Sequence, residues 1–369
     1  MSTPHDQITR NAGVNSAATG ICRVLGYVRD AVIAAVFGTS PVGSACSVAF
    51  AVPNTLRRLF GEGAMASSFI PLFAERLHHD GRDAGFQAAS LVLTLLAALL
   101  SVIGVAIAVL ALLGAWLLPL DFKTRLTCLL TAVMMPYSVL ICLTALCGAM
   151  LNTLGHFSRP ALAPVFLNLA MIAGAWIAAR LVPPPMERQV FALAGGALAG
   201  GALQLWFQIP ALRRRGFRYA PQWNLRDPFV NRIVLLMGPA LVGAGVSQIN
   251  VLIDRFMALA VNERGAAVLT YADRLVELPL GMFGIALATA VLPAMSFCAA
   301  RGDHAGLVAA LGFAIRQVCF IMLPALAGLA ILAEPIVRLL FERGAFTAES
   351  TQHTAAALRL YAPGLIAFA

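Results

Sequence analysis

Eleven charged side chains interrupt stretches of this sequence that are otherwise apolar: Arg23, Arg29 and Asp30; Arg57, Arg58 and Glu62; Asp254 and Arg255; Asp273, Arg274 and Glu277. A charge at the middle of a bilayer costs roughly 2.5–3.5 kcal/mol on insertion scales, so such groups belong in a hydrated interior rather than against lipid. The guanidinium fork holds phosphate or carboxylate oxygens with two hydrogen bonds. Arg23, Arg29 and Arg57 exceed the carboxylates near them, and an anionic ligand is the chemistry that excess predicts. Bond-making chemistry finds little support. Only one of 26 basic residues is a lysine (Lys123), which leaves none for a nucleotide-binding loop. The six histidines never fall at HExxH spacing, and the seven cysteines contain no CxxC pair, so neither a zinc site nor a disulfide framework is indicated.

The elements that must position these charges follow from composition. The chain has 369 residues, 60% hydrophobic and 12% charged, with a mean hydropathy of +0.84. An ordinary globular domain is about half apolar and about a quarter charged. Too little polar surface remains to solvate a soluble body of this size, so an all-α polytopic membrane protein is expected. A net charge of +9 scattered between apolar runs points to anionic lipid or a phosphorylated lipid substrate, not to nucleic acid. The polar start, residues 1–11, does not read as a short cleavable signal peptide.

Apolar runs of at least about 20 residues predict spans near 13–37, 44–73, 88–119, 128–153, 160–182, 190–211, 230–262, 267–298 and 306–341, with a tenth beginning near 353. With the N-terminus inside, short loops carry ten basic residues on the cytoplasmic side against six outside, mostly through Arg213, Arg214, Arg215, Arg218 and Arg226. That bias favours a cytoplasmic N-terminus.

Spans one and two (RVLGYVRDAVIAAVFG; AFAVPNTLRRLFGEGAMASSFIPLF) are echoed by spans seven and eight (NVLIDRFMALAV; LTYADRLVELPLGMFGIALATAVLPAM). Asp30 to Pro71 is 41 residues and Asp254 to Pro293 is 39. Six spans separate the copies, which makes this a parallel repeat. Two pseudo-symmetric helical lobes around a central cavity are expected, residues 1–228 (spans one to six) and 229–369 (spans seven to nine and the start of the tenth). The second lobe is then incomplete, as in a chain truncated at its C-terminus, and export by residues 1–369 alone is not expected.

Blander roles compete at single positions. Arg58, Arg232 and Arg255 read as side chains snorkelling to headgroups. Asp30 beside Arg29 and Asp273 beside Arg274 read as local neutralisation, and Arg274 with Glu277 (i,i+3) equally as a structural ion pair. Arg23 and Arg29 are about 120° out of phase on a straight helix, so a bend or unwound turn at Gly26 is expected to bring both inward. Pro53, Pro136, Pro239, Pro279 and Pro324 are further candidate hinges.

RVLGYVRDAVIAAVFG with VAFAVPNTLRRLFGEGAMASSFIPLFAE resembles the opening of the MurJ/MviN family, bacterial lipid II flippases within the multidrug/oligosaccharidyl-lipid/polysaccharide exporters. YADRLVELPLGMFGIALATAVLPAMS and LFERGAFTAEST continue the likeness over essentially the whole chain. The resemblance implies fourteen spans in a full-length member, residence as a monomer in the inner membrane, and export of undecaprenyl-diphosphate-linked peptidoglycan precursor by alternating access, without a bound cofactor. It places cavity arginines at Arg23, Arg29, Arg57 and Arg274, the acid one turn later at Glu277, and Glu62 in the EGA motif. Gly26 and Asp30 fall with Glu62 among gating or cavity positions. Asp254 stands where some members carry an acid associated with sodium, so sodium coupling is implied. One departure is visible: GSACSVAF places Ser44 where the family often has an acid.

The alternatives are an exporter of another polyprenyl-linked glycan, a multidrug exporter, a membrane-embedded glycosyltransferase and a scaffold. A pump for cationic drugs calls for an acidic cavity. A glycosyltransferase calls for a general base at a cavity mouth and a sizeable outer loop, and a scaffold calls for balanced inward charges.

Overall fold

Of the four charge-bearing spans of the repeat, one and seven become unbroken helices, and two and eight are each interrupted by a π-helical turn. The computed structural model describes residues 4–368; side chains are described over 18–367 except at 62, 64, 66, 285, 286 and 288–290. Span one is α1 (Pro4–Phe37). Span two is α2 (Pro41–Leu56), a π-helical turn (Arg57–Gly63) and α3 (Ala64–His79) in continuous sequence. Then come α4 (Gly81–Leu117), α5 (Phe122–Thr153), α6 (Ser158–Arg180), α7 (Met186–Arg214) and α8 (Pro228–Val261). Span eight is α9 (Gly265–Pro279), a second π-helical turn (Leu280–Gly284) and α10 (Ile285–Ala300). The chain continues through α11 (His304–Ile331), α12 (Ala333–Phe341), α13 (Ala348–Tyr361) and α14 (Gly364–Phe368).

Among the described residues six helices, α4 to α8 and α11, are long and apolar enough to cross a bilayer by length and composition. Leu235, Val242 and Val246 on α8 and Phe320 on α11 are exposed, as side chains facing acyl tails would be.

The expected ninth span, 306–341, is corrected. The helix stops at Ile331, and Ala333–Phe341 forms the separate α12. Ala333, Val337 and Phe341 recur at i, i+4 and i+8 and are buried, while Glu334, Arg338 and Glu342 pair along the other face. Apolar content alone hid this change of direction; the charge at every fourth residue was its signal. The helix expected from 353 begins at Ala348, where the Thr347 hydroxyl caps the Ser350 N–H, and it breaks before Pro363.

Small residues bring helices together where no hydrophobic effect between lipid-exposed surfaces is available. A Cβ on Gly174 of α6 would stand 2.8 Å from the Ala192 carbonyl oxygen of α7, and one on Gly196 would stand 2.7 Å from that of Ala170. Only backbone can occupy that contact. One buried cluster joins α3, α4, α5, α7 and the start of α8 around Phe69, Phe73, Tyr137 and Met150. A second joins Phe37 of α1 to α2, α5, α6 and α7, while Ala34, one turn earlier, belongs to a third with α9, α11, α12 and α13. Helix α1 therefore packs on both groups of helices at once.

Candidate functional site

A cavity of about 620 Å³ opens where α1 meets α6 and span eight. Arg23, Tyr27, Arg29 and Asp30 line it from α1, Asn168 from α6, and Arg274 and Glu277 from α9. A second compartment of about 430 Å³ shares Arg29, Asn168 and Arg274 with it and continues past Asn54 and Arg57 to Gln204 and Gln208 on α7. A third, about 180 Å³, shares Asn54 and Arg274 with the second and reaches Arg58, Arg255 and Asp273.

The charges form a chain across the helices. Arg29, only 8% exposed, donates to Asp30 Oδ1 at 2.7 and 2.9 Å and to Asn168 Oδ1 at 3.0 Å. Asn168 in turn donates to the Cys22 carbonyl at 3.1 Å, tying α6 to α1. The other Asp30 oxygen meets Arg274 Nε at 3.2 Å, joining α1 to α9. Arg274 Nη1 donates to Glu277 Oε2 at 2.8 Å, and Arg58 lies 3.7 Å from Glu277 Oε1. Arg23 donates to the Gly281 carbonyl at 2.8 Å, and the Tyr27 hydroxyl donates to the Arg274 carbonyl at 3.0 Å. Arg57 donates to Asn54 Oδ1 at 2.7 Å.

Three guanidinium groups, those of Arg29, Arg58 and Arg274, thus share two carboxylates, Asp30 and Glu277, while Arg23 and Arg57 line the same compartments on a carbonyl and an amide oxygen. Each acid serves two arginines. Beside them Arg255 and Asp273 neutralise one another at 3.0 Å, and Arg255 also donates to the Thr270 hydroxyl. The residual charge is positive and the donors are guanidinium forks, an arrangement suited to phosphate oxygens.

The structure brings Arg23, Gly26, Arg29, Asp30, Arg274 and Glu277 to the first compartment and Arg57 to the second, with Arg29, Asn168 and Arg274 lining both. Glu62 falls in the first π-helical turn, and its side chain lies outside the described residues. Asp254 lies on an exposed face of α8, apart from the residues lining the three compartments. Among the described residues no group of three His, Cys, Asp or Glu side chains is placed to hold a metal ion.

Three expectations are corrected. Helix α1 runs unbroken through Gly26. Its 120° phase difference sends Arg23 to the span-eight wall and Arg29 to the α6 wall, so both reach the cavity without an unwound turn. The unwinding sits instead in spans two and eight. Second, Arg58 and Arg255 turn inward to Glu277 and Asp273 instead of snorkelling, whereas Arg232 does stay at an exposed end, paired with Glu75 at 2.8 Å. Third, Asp273 pairs with Arg255 of α8 rather than with adjacent Arg274, whose guanidinium is held by Asp30 and Glu277 instead. Sequence reasoning missed the polar wall of Asn168, Gln204 and Gln208. Its signal was an isolated amide in an otherwise apolar span, and two more at i,i+4.

At the face where α1 ends, backbone seals the cavity. The Ala345 N–H donates to the Ala35 carbonyl at 2.8 Å, and the Thr39 and Ser350 hydroxyls lie 2.7 Å apart. Gly38 (φ +55°) and Gly344 (φ +58°) take left-handed conformations there, and a Cβ on Gly344 would stand 2.3 Å from the Ala35 oxygen. Ser44 accepts from the Ala267 N–H at 3.3 Å, so a hydroxyl serves at the position of the family's frequent acid. Outside the membrane on this face, Arg264 holds Glu349 at 2.6 Å and keeps its carboxyl below the usual range. On the opposite face the Arg232 hydrogen bond does the same for Glu75.

Comparison with known proteins gives this geometry its context. The family described as lipid II flippase MurJ matches residues 33–369. A "Probable lipid II flippase MurJ" of Vibrio cholerae serotype O1 is 39% identical over 380 residues, covering 99% of this chain and 71% of that protein. The solved structure titled "Lipid II flippase MurJ, inward closed conformation" superposes with a TM-score of 0.79 at 27% identity, over 96% of this chain and 73% of that one. An inward-facing multidrug resistance MATE transporter of the MOP superfamily shares the fold, with a TM-score of 0.71 at 19% identity over 96% of this chain and 81% of that one. With an arginine-lined cavity between helices of this arrangement and a family match over most of its length, the chain belongs to the MurJ family of lipid II flippases.

Proposed function

We propose that the protein moves lipid II, the undecaprenyl-diphosphate-linked muropeptide, from the cytoplasmic to the periplasmic leaflet of the bacterial inner membrane. The observation that carries this reading is the surplus of guanidinium over carboxylate in a cavity built jointly by α1 and span eight. Arg23, Arg29, Arg57 and Arg274 hold the diphosphate while the polyprenyl tail stays in lipid. Asp30 and Glu277 keep the cradle together when it is empty and exchange their guanidinium partners for the ligand when it is full. No bond is made or broken. With a cytoplasmic N-terminus, the seal around Gly38 and Gly344 closes the periplasmic side, and release requires it to part while the opposite face closes. A gradient supplies direction: one charge moved through 100 mV is worth about 2.3 kcal/mol. Sodium with Asp254 is one source of such coupling. A monomer suffices, since the cavity lies within one chain. The cationic lining argues against a carrier of cationic drugs.

The test is binding of undecaprenyl diphosphate to the purified chain. Arg57→Ala and Arg274→Ala are each expected to weaken it roughly 10- to 100-fold, the value of a charge-assisted hydrogen bond of about 1.5–3 kcal/mol, with the lysine variants recovering part. Unchanged binding in both alanine variants overturns the cradle.

A further inference from the structure

Helices α5 and α7 form a wall with two different faces. Thr144, Gly148, Gln204 and Gln208 turn toward the central compartments. One residue earlier on α5 (Leu143, Cys147) and one later on α7 (Leu205, Ile209), another face lines a separate groove of about 790 Å³ between α4, α5 and α7. Leu143, Leu205 and Ile209 make its walls; Arg213, Arg218 and Tyr219 stand at its mouth. Eight residues separate Leu205 from Arg213, about 12 Å along the helix, so the groove runs from the arginines well into the depth of the hydrocarbon.

The mouth is held in place. Buried Phe217 packs edge-on against Phe86 of α4 with ring centres 5.5 Å apart. The Tyr219 and Thr94 hydroxyls lie 3.0 Å apart, which ties the segment carrying Arg218 to α4. Arg213 and Arg218 are exposed and have neither an ion pair nor a side-chain hydrogen bond among the described residues. They differ in this from the cavity arginines, all of which are engaged.

We propose that this groove binds an anionic membrane glycerophospholipid, one acyl chain lying along Leu205 and Ile209 and the phosphate held between Arg213 and Arg218. An apolar slot open to the bilayer is filled by hydrocarbon rather than water. Charge complementarity selects the headgroup, since basic pockets between helices at the membrane surface take acidic lipids. Tyr219 presents its ring to the chain and its hydroxyl to the interface, as aromatic residues at this level do. The site is separate from the central cavity and does not depend on the transport reading.

Native mass spectrometry of the purified full chain, titrated with phosphatidylglycerol or with phosphatidylcholine of the same acyl chains, tests it. Phosphatidylglycerol is expected to be retained roughly 30-fold more tightly, about fivefold per arginine. The double variant Arg213→Gln, Arg218→Gln brings the two lipids to within about twofold. Arg214→Gln with Arg226→Gln, exposed arginines outside the groove, leaves the preference in place. Ile209→Trp fills the slot without altering charge and lowers retention of both lipids. Equal retention by the unaltered protein overturns the proposal, as does a preference that survives the Arg213 and Arg218 changes or is lost equally in the control pair. Displacement of bound phosphatidylglycerol by undecaprenyl phosphate in the unaltered protein but not in Ile209→Trp also overturns it, and gives the groove to a polyprenyl tail.

Discussion

Adding one methyl group at Gly344 should push the sealed face open. Its ideal Cβ would lie 2.3 Å from the Ala35 carbonyl oxygen, where real Cβ atoms do not approach within 3.0 Å. The loop must therefore back away by at least 0.7 Å, and the obstacle is backbone that no rotamer can move. That shift weakens the adjacent Ala345 N–H to Ala35 hydrogen bond, now 2.8 Å, worth about 0.5–1.5 kcal/mol net. Holding a residue with a Cβ at φ +58° costs about 1–2 kcal/mol more. Part of the backbone cost persists in any state that keeps this conformation, so only the clash and the lost bond act differentially between closed and open forms. A bias of about 1–2 kcal/mol follows, a 5- to 30-fold shift of population. Oxidative cross-linking of Thr39→Cys with Ser350→Cys, whose native hydroxyls lie 2.7 Å apart, reports the closed face. Gly344→Ala should lower the cross-linked fraction and raise labelling of Cys22, which lines the cavity, by an impermeant maleimide applied from that face. Unchanged cross-linking together with unchanged Cys22 labelling would show that the backbone contact does not hold this face shut.

Other expectations rest on single contacts. Ser44→Ala leaves the buried Ala267 N–H without its acceptor and should cost about 1–3 kcal/mol of closed-face stability; the same cross-link reads it, and Ser44→Thr should restore the yield. Asp30→Asn removes the negative charge shared by Arg29 and Arg274 and turns one of its two acceptor oxygens into a donor, and breaking such a partly buried pair costs about 3–5 kcal/mol. Its thermal unfolding midpoint should fall, with recovery when diphosphate is added; a midpoint indifferent to diphosphate contradicts the role given to Asp30. Because Arg264 depresses the Glu349 pKa, that ion pair contributes above the ordinary glutamate range, near 4.3, and is lost as pH falls through the depressed value. Thiol oxidation itself slows in acid, so the cross-linked fraction should drop on acidification more steeply with Glu349 in place than in Glu349→Gln, and equal slopes would contradict the role of the pair.

Helix positions were legible because a bilayer demands long apolar runs and this chain supplies them with loops of Gly, Pro and charge. The inward charges were legible for the same reason, since hydrocarbon makes every misplaced charge conspicuous. Their partners were not. The i,i+3 contact of Arg274 with Glu277 can be read from helical geometry, but the contact of Arg274 with Asp30 spans 244 positions and depends on how α9 docks on α1. Arg58 and Arg255 looked like headgroup arginines because each stands within snorkelling reach of an apolar run; only the approach of α8 and α9 to span two supplies the acids that hold them inside. The α12 turn escaped because hydropathy sums over a window and discards phase.

The two π-helical turns explain why the repeat matters physically. Phe60–Gly61 sits in the turn of span two and Phe283–Gly284 in that of span eight, eleven residues before Pro71 and ten before Pro293. A π-helical turn shifts hydrogen bonds from i−4 to i−5 and leaves a carbonyl able to turn outward. In span eight that carbonyl is Gly281, and Arg23 donates to it. A Cβ at position 281 would stand 3.2 Å from Arg23 Nη2, so a larger residue there would crowd the guanidinium. In span two the turn begins at Arg57 itself and carries Arg58 beside it, directing one toward Asn54 and the other toward Glu277. Each repeat thus has an irregular turn beside the cavity: in span two it carries Arg57 and Arg58, and in span eight it presents the Gly281 carbonyl to Arg23. The same turns give each span a point of weaker helical order beside the ligand space. Parting of the sealed face can therefore bend spans two and eight about these two turns, one carrying Arg57 and Arg58 and the other receiving Arg23, with α1 kept whole between them.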